Sequence, residues 1–216
     1  MKREAEIKEL LISNAIHLIA KGGFEAATTK ALTTAGGSPE GFKMNEVYIY
    51  RFFGSKEKIY EAAFLALDEE LRTTFIRAVE EVEEVGGFET NTQDSFHIFF
   101  SRIWAFLLGN EDRFRCYLRY YYSIYFKDSS LQAHKKNFAA MVSSITPLFK
   151  DDAAIMTVLH SIFTSLLNLA TQVYNGGLED NETTRSTVFN ILYLTMSAYF
   201  KDEIKETQIK GGINEE

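Results

Sequence analysis

The chain has 216 residues, with 23 Lys and Arg against 30 Asp and Glu, for a formal net charge of -7. A hydrophobic fraction of 46% and a charged fraction of 25% exclude wholesale disorder, and two prolines with aperiodic glycines exclude collagen-like and linker-like chains. The one cysteine, Cys116, excludes an intramolecular disulfide, a thiolate zinc site and a CxxC redox pair, and it fits a reducing compartment.

The length allows one large domain or two small ones. The first residues carry charges of both signs and lack the apolar core of a signal peptide. Ile7, Leu10, Leu11, Ala15, Leu18 and Ile19 recur at helical spacing and predict a helix over 2–21. Gly22 and Gly23 supply the left-handed stop such a helix needs. Thr28 or Thr29 can cap a short helix through about Thr34, and 35–38 reads as a turn. Ser38-Pro39-Glu40 could start a helix, but Gly41 follows at once and Asn45 offers a second cap. The preferred reading is a loop to about Met44 and a short helix over 45–53, ended by Gly54. Ser55 then caps a helix that can run to about Glu84.

Gly86-Gly87 is the clearest internal break. Beyond it, helices are predicted at about 92–109, 111–127, 129–147, 151–175 and 180–206. Residues 153–178 lack charge and are long enough to span a bilayer, but His160, Ser161, Thr164, Ser165, Asn168, Thr171 and Gln172 are expensive in hydrocarbon. A buried helix is the better reading, and the expected location is the cytoplasm. Residues 209–216 read as a frayed tail.

The overall acidity hides an asymmetry. Residues 1–64 hold 9 basic and 8 acidic side chains, and residues 65–216 hold 14 and 22. The N-terminal quarter could therefore approach a phosphate backbone more readily than the rest. Three short helices with tight turns fill 2–53, and the second and third lie where a helix-turn-helix places its supporting and recognition helices. Thr28 and Thr29 stand at a helix N-terminus, where hydroxyls and free N–H groups can meet a phosphate.

At these residues the chain resembles the TetR family of bacterial transcriptional regulators. The resemblance rests on Gly23-Phe24, Thr28-Thr29, Ala35-Gly36 and the run Ile49-Tyr50-Arg51-Phe52-Phe53-Gly54-Ser55-Lys56-Glu57-Lys58-Ile59, which is similar to the family's L-Y-x-x-F-x-S-K-E-x-L signature. It covers about residues 5–65. One departure stands out. Ala35 to Tyr50 spans 16 positions where the family pattern has nine, so either the loop or the recognition helix is longer by seven. Val47 also stands where the family often has Gly.

The resemblance implies an all-α fold: a helix-turn-helix DNA-binding domain over 1–64, joined to a helical ligand-binding and dimerisation domain over 65–208. It implies that Thr28, Thr29 and Lys30 touch phosphates, that Tyr50 and Arg51 lie against the backbone, and that Lys56 reaches a phosphate from the fourth helix. Asn45, Glu46 and Tyr48 would face the bases. Asn can pair bidentately with adenine, and Glu can accept from cytosine N4. Tyr50 could instead be a core aromatic, and Lys56 a solvated lysine.

Twelve of the 30 aromatic residues fall between Phe96 and Phe126. The resemblance implies an inducer pocket in this part of the chain, with Phe100, Trp104, Tyr117, Tyr120, Tyr121, Phe163 and Leu167 as its candidate lining. Ordinary core packing is the other use of such a cluster. Residues 153–178 and 186–200 are uncharged and apolar on more than one face, so they need burial beyond their own domain. Two such helices from each of two chains would form a four-helix dimer interface through Ile162, Ser165, Leu166, Leu169, Val188, Leu192 and Met196.

A di-iron bundle needs two Glu-x-x-His repeats, and only Asp94-Ser95-Phe96-His97 approximates one. The sequence has no HExxH, G-x-S-x-G, P-loop or G-x-G-x-x-G. The expectation is therefore a non-enzyme without metal or cofactor. It would be a homodimeric repressor of a palindromic operator, released by a small apolar or aromatic inducer and not membrane-bound. The alternative is an all-helical small-molecule-binding or scaffold protein that has lost DNA binding.

Overall fold

The computed structural model describes residues 2–36, 44–90, 92–150 and 154–204. The chain is built from α-helices: α1 (Lys2–Ala26), α2 (Thr29–Thr34), α3 (Val47–Phe53), α4 (Lys56–Glu84), α5 (Gly87–Thr90), α6 (Thr92–Gly109), α7 (Glu111–Tyr121), α8 (Asp128–Val142), α9 (Ile155–Tyr174) and α10 (Glu182–Ser197). They sort into two compact units, one of residues 1–71 and 110–137, the other of 72–109 and 138–216. The Ser38-Pro39-Glu40 alternative, part of the enlarged turn and the C-terminal tail lie outside the described residues.

In the first unit, Ile7, Leu11, Ala15 and Ile19 of α1 are buried, as their spacing requires. The regular run of α1 breaks at Gly23, whose φ of 75° is the left-handed geometry read from the glycine pair. Helix α7 packs along α1. The Arg119 guanidinium donates to the Ile19 carbonyl at 2.6 Å, and Lys21 pairs with Asp112 at 2.9 Å. The Phe64 ring of α4 stacks on Tyr117 and Tyr120, each at 4.9 Å.

At the centre of this unit lies the fully buried carboxylate of Asp68. It accepts from the Tyr117 hydroxyl at 3.1 Å and from Asn137 Nδ2 at 2.8 Å, and it faces His134 Nδ1 at 2.8 Å. Three hydrogen-bonding neighbours are what make a buried carboxylate tolerable. Burial first, then the neighbouring Asp68 charge, pushes the Tyr117 phenol well above its ordinary range.

The second unit is assembled from rings. Phe75 meets Phe99 at 5.3 Å and Phe163 at 6.0 Å, Phe96 stacks on Phe200 at 5.6 Å, and Phe100 stacks on Trp104 at 5.7 Å. Its buried polar side chains, among the described residues, are Thr92 and Ser95. A two-residue backbone bridge ties Phe149 to Phe200, with Lys150 N–H donating to the Tyr199 carbonyl and Lys201 N–H to that of Leu148.

Three helices end earlier than periodicity predicts, each for a local reason. Helix α7 stops at Tyr121 because the Ser123 hydroxyl takes the Tyr120 carbonyl at 2.8 Å and accepts from Tyr125 N–H at 3.1 Å. Helix α8 stops at Val142, and Pro147 then sits in a separate 3-10 turn, Thr146–Leu148. Helix α10 stops at Ser197 because the following residues make the bridge with 148–150. No helix among the described residues is long and apolar enough to cross a membrane.

Candidate nucleic-acid interface

Helix α2 is positioned from three sides. Thr28, in extended geometry, caps it, its Oγ1 accepting from Ala31 N–H at 3.1 Å. Asn14 of α1 donates from Nδ2 to the Leu32 carbonyl at 2.8 Å. The Tyr60 hydroxyl of α4 donates to the Ala27 carbonyl at 2.9 Å, and burial, its largest cause, pushes that phenol up to about 12. The turn after α2 needs glycine at 36, since a Cβ there would stand 2.3 Å from Asn14 Oδ1.

The exposed surface of this end carries Thr28 and Lys30, with Thr29 half-buried. The Thr28 hydroxyl accepts the capping bond, so its own proton can be donated outward, for instance to a phosphate oxygen.

Helix α3 has seven residues, and Met44 and Asn45 before it are not helical. The seven additional positions therefore do not extend it continuously toward α2. Asn45, and not Glu46, supplies the side-chain cap, its Oδ1 accepting from Val47 N–H at 3.0 Å. A bidentate grip on adenine would use the second lone pair of that same oxygen, together with Nδ2. Glu46 is exposed and makes no capping bond.

Ile49 is fully buried and anchors α3, while Val47 is 66% and Tyr50 57% exposed. Three positions apart, they share one face with the exposed Arg51. Val47 was missed as part of this face because an apolar residue carries no readout signal. The helical spacing to Tyr50 was the clue, and a T methyl is the partner an apolar side chain suits. Tyr48 is half-buried, stacked on Phe52 at 5.7 Å, and so lies at the edge of the face.

Arg51 pairs with Glu4 of α1 at 2.9 Å, both side chains being largely solvent-exposed. Such a pair contributes about 0–1 kcal/mol, so a phosphate can replace Glu4 at little cost. Lys8 of α1 lies 5.4 Å from the Phe52 ring centroid and adds a second cation beside α3. Lys56, half-buried, opens α4.

The seven residues read as a pocket are divided between the two units. Tyr117, Tyr120 and Tyr121 belong to the first unit, where Tyr117 bonds Asp68 and the Tyr120 hydroxyl donates to the Tyr125 carbonyl at 2.9 Å. Phe100 and Phe163 line an apolar cavity of about 60 Å³ in the second unit. Trp104 and Phe100 flank a separate polar cleft of about 550 Å³, where Asp180 is held bidentately by Arg185 at 2.7 Å and its pKa is lowered chiefly by those hydrogen bonds. Leu167 is buried and lines neither.

The residues read as a dimer interface are also redistributed. Leu166, Val188, Leu192 and Met196 face the interior of their own unit. Ile162 and Leu169 are half-buried and Ser165 is exposed. The outward apolar residues of α10 are Ile191, 53% exposed, and Leu194, 68% exposed. Positions 188, 192 and 196 do form one stripe, but it is the inward one, and the exposed stripe is offset from it.

The arrangement of α1 to α3 on the first turns of α4, followed by a larger helical unit, is shared with known proteins. The fold is that of TetR-family transcription regulators. A TetR family regulator from Marinobacter aquaeolei superposes with a TM-score of 0.71 at 14% identity, covering 93% of this chain and 100% of that one. One from Mesorhizobium loti gives 0.66 at 13%, covering 92% and 99%. The fatty acid degradation regulator FadR from Bacillus halodurans gives 0.54 at 14%, covering 88% and 94%. No protein-family model matches the sequence. No curated protein matches it in sequence. The TetR-like fold thus stands on shape, with the signature around Tyr50 and Lys56 as its trace in sequence.

Proposed function

We propose that this chain is a homodimeric, ligand-responsive transcription regulator of the cytoplasm, acting as a repressor at a palindromic operator. The observation that carries the reading is the face of Val47, Tyr50 and Arg51, held outward by buried Ile49 and following the capped helix α2 in the chain. On a TetR-like fold, that face is the part that enters a major groove. Thr28, Thr29, Lys30 and Lys56 would hold phosphates, and Asn45, Glu46, Val47 and Tyr48 would lie nearest the bases. Residues 1–64 would be the DNA-reading part and 65–208 the ligand-binding and dimerisation part.

The dimer would use the outward faces of α9 and α10. The first offers the exposed Ser161, Ser165 and Asn168, small enough for close helix approach, and the second offers Ile191 and Leu194. A ligand in the second unit would shift the population away from the DNA-competent form.

A second reading, an all-helical small-molecule binder that no longer binds DNA, is favoured by the exposed Glu46 and by the Arg51–Glu4 pair. The two part company in a polarisation titration against DNA upstream of the protein's own gene, at several salt concentrations. The regulator predicts nanomolar-range binding that weakens steeply with salt. Tyr50→Ala and Lys56→Ala should each weaken it by about 1–3 kcal/mol. Binding indifferent to both substitutions would sink the site assignment, and no specific binding would favour the second reading.

A further inference from the structure

We infer that helix α3 selects its half-site by the C5-methyl group of a pyrimidine, thymine in unmodified DNA, and that Val47 is the residue that reads it. The inference rests on the regulator reading and adds to it the chemistry of the base.

Helix α3 is Val47-Tyr48-Ile49-Tyr50-Arg51-Phe52-Phe53, and few of these side chains are placed to meet a base. Ile49 is fully buried. Tyr48 stacks on Phe52 at 5.7 Å, and both are half-buried, as is Phe53. Arg51 is the one side chain of the helix with the forked donors that grip guanine. Its guanidinium is paired with Glu4 of α1 at 2.9 Å and lies 5.5 Å from the Phe52 ring centroid. The apolar surface that α3 turns outward is Val47, 66% exposed, and Tyr50, 57% exposed. The Val47 N–H is taken by Asn45 Oδ1 at 3.0 Å, so what Val47 offers a duplex is its two methyl groups.

In the major groove, guanine, adenine and cytosine present donors and acceptors, and thymine alone adds a methyl group. A valine laid over a ring nitrogen, a carbonyl or an amino group takes water from that polar atom and returns no hydrogen bond. Laid over a C5-methyl, both surfaces leave water to their mutual gain. Two cations attend the same short helix, Arg51 itself and Lys8 of α1, the latter 5.4 Å from the Phe52 ring centroid. A polyanion whose groove carries methyl groups matches this combination, whereas an apolar protein surface would meet the charges.

The residue before Val47 extends the argument. Glu46 is exposed, and its carboxylate can accept from an exocyclic amino group. 5-Methylcytosine carries that amino group and the methyl group on adjacent ring atoms, so methylating a cytosine at this position should tighten binding.

The full-length protein is used to enrich duplexes from a random pool. The enriched sequence is then resynthesised with deoxyuridine in place of thymine, one position at a time, which removes the methyl group and nothing else. At one thymine per half-site the affinity should fall about fourfold, the worth of one buried methyl group. Val47→Ala should bind the thymine and deoxyuridine duplexes to within about twofold of each other, the coupling that assigns the methyl group to Val47. The position is exposed and alanine is the strongest helix former, so this variant keeps the fold. With cytosine and 5-methylcytosine at the same position, the methylated duplex should bind more tightly, again in the parent protein and not in Val47→Ala. Equal affinity for thymine and deoxyuridine at every position, full discrimination retained in Val47→Ala, or indifference to cytosine methylation would each overturn the inference and leave the regulator reading standing. A pool from which no duplex is enriched sinks the regulator reading and this inference with it.

Discussion

The two units are held together by different physics. The first is fixed by directional bonds: Asp68 gathers Tyr117, His134 and Asn137 from α7 and α8, Asn14 holds the end of α2, and Arg119 holds α1 by the Ile19 carbonyl. The second is packed ring on ring around a void. Hydrogen bonds demand one distance and one angle, whereas apolar packing accepts many similar arrangements. On the proposed function, a surface that matches the spacing of a duplex would gain from the first kind of interior, and a chamber that admits a guest would gain from the second.

The sharpest way to break this contrast is Asp68→Ala. It leaves the buried Tyr117 hydroxyl and the half-buried Asn137 amide without their acceptor, and it should cost about 3–5 kcal/mol in urea unfolding. A loss under about 1 kcal/mol would show that the network is ornamental and that both units rest on packing alone.

Next in size is an alkaline effect on the first unit. Burial, the leading cause in both cases, pushes the Cys116 thiol up from its usual 9.0 to about 12 and the Tyr60 phenol up from 10.0 to about 12. The unfolded chain sheds these protons first, so stability is fully present below pH 9 and falls as pH rises from 9 toward 12. Urea midpoints at pH 7 and pH 10.5 test this, and Cys116 should resist thiol reagents at pH 8 in the folded protein. A midpoint that does not move would contradict the buried placement of both groups.

The smallest effect sharpens the description of the second unit. Leu159→Met in the cavity wall keeps volume and removes branching, and it should change stability by less than about 1.5 kcal/mol. A larger loss would mean that the second interior is as exacting as the first.

Much of the scaffold was legible because local signals and burial agree. Gly23, Thr28, Gly54 and Ser55 sit where their chemistry places them, and α4 runs to Glu84 as its unbroken pattern allows. The ends of α7 and α10 were not legible. One is set by a single serine hydroxyl and the other by a backbone bridge to residues 50 positions away, and periodicity contains neither.

The candidate site was read unevenly. Tyr50 and Arg51 lie on one exposed face, Asn45 makes the cap that its position offered, and Val47 joins the face without any polar group to signal it. For α10 the difficulty was register. Residues 186–200 are apolar in more than one direction, so the pattern alone cannot say which stripe turns inward. The aromatic cluster between Phe96 and Phe126 was a single feature in sequence and is two in space, because the chain passes from one unit to the other near Asn110.

That passage matters during synthesis. The first unit is discontinuous: its opening 71 residues are joined by 110–137, the segment that brings Arg119, Tyr117 and His134. On the ribosome, the helices that would face DNA emerge several seconds before their backing at about 5–20 residues per second. Until then, Phe64 lacks the two tyrosines that cover it, and the carbonyl of Ile19 lacks its guanidinium. A chain cut short after residue 71 would therefore carry these helices without the strut that stiffens them.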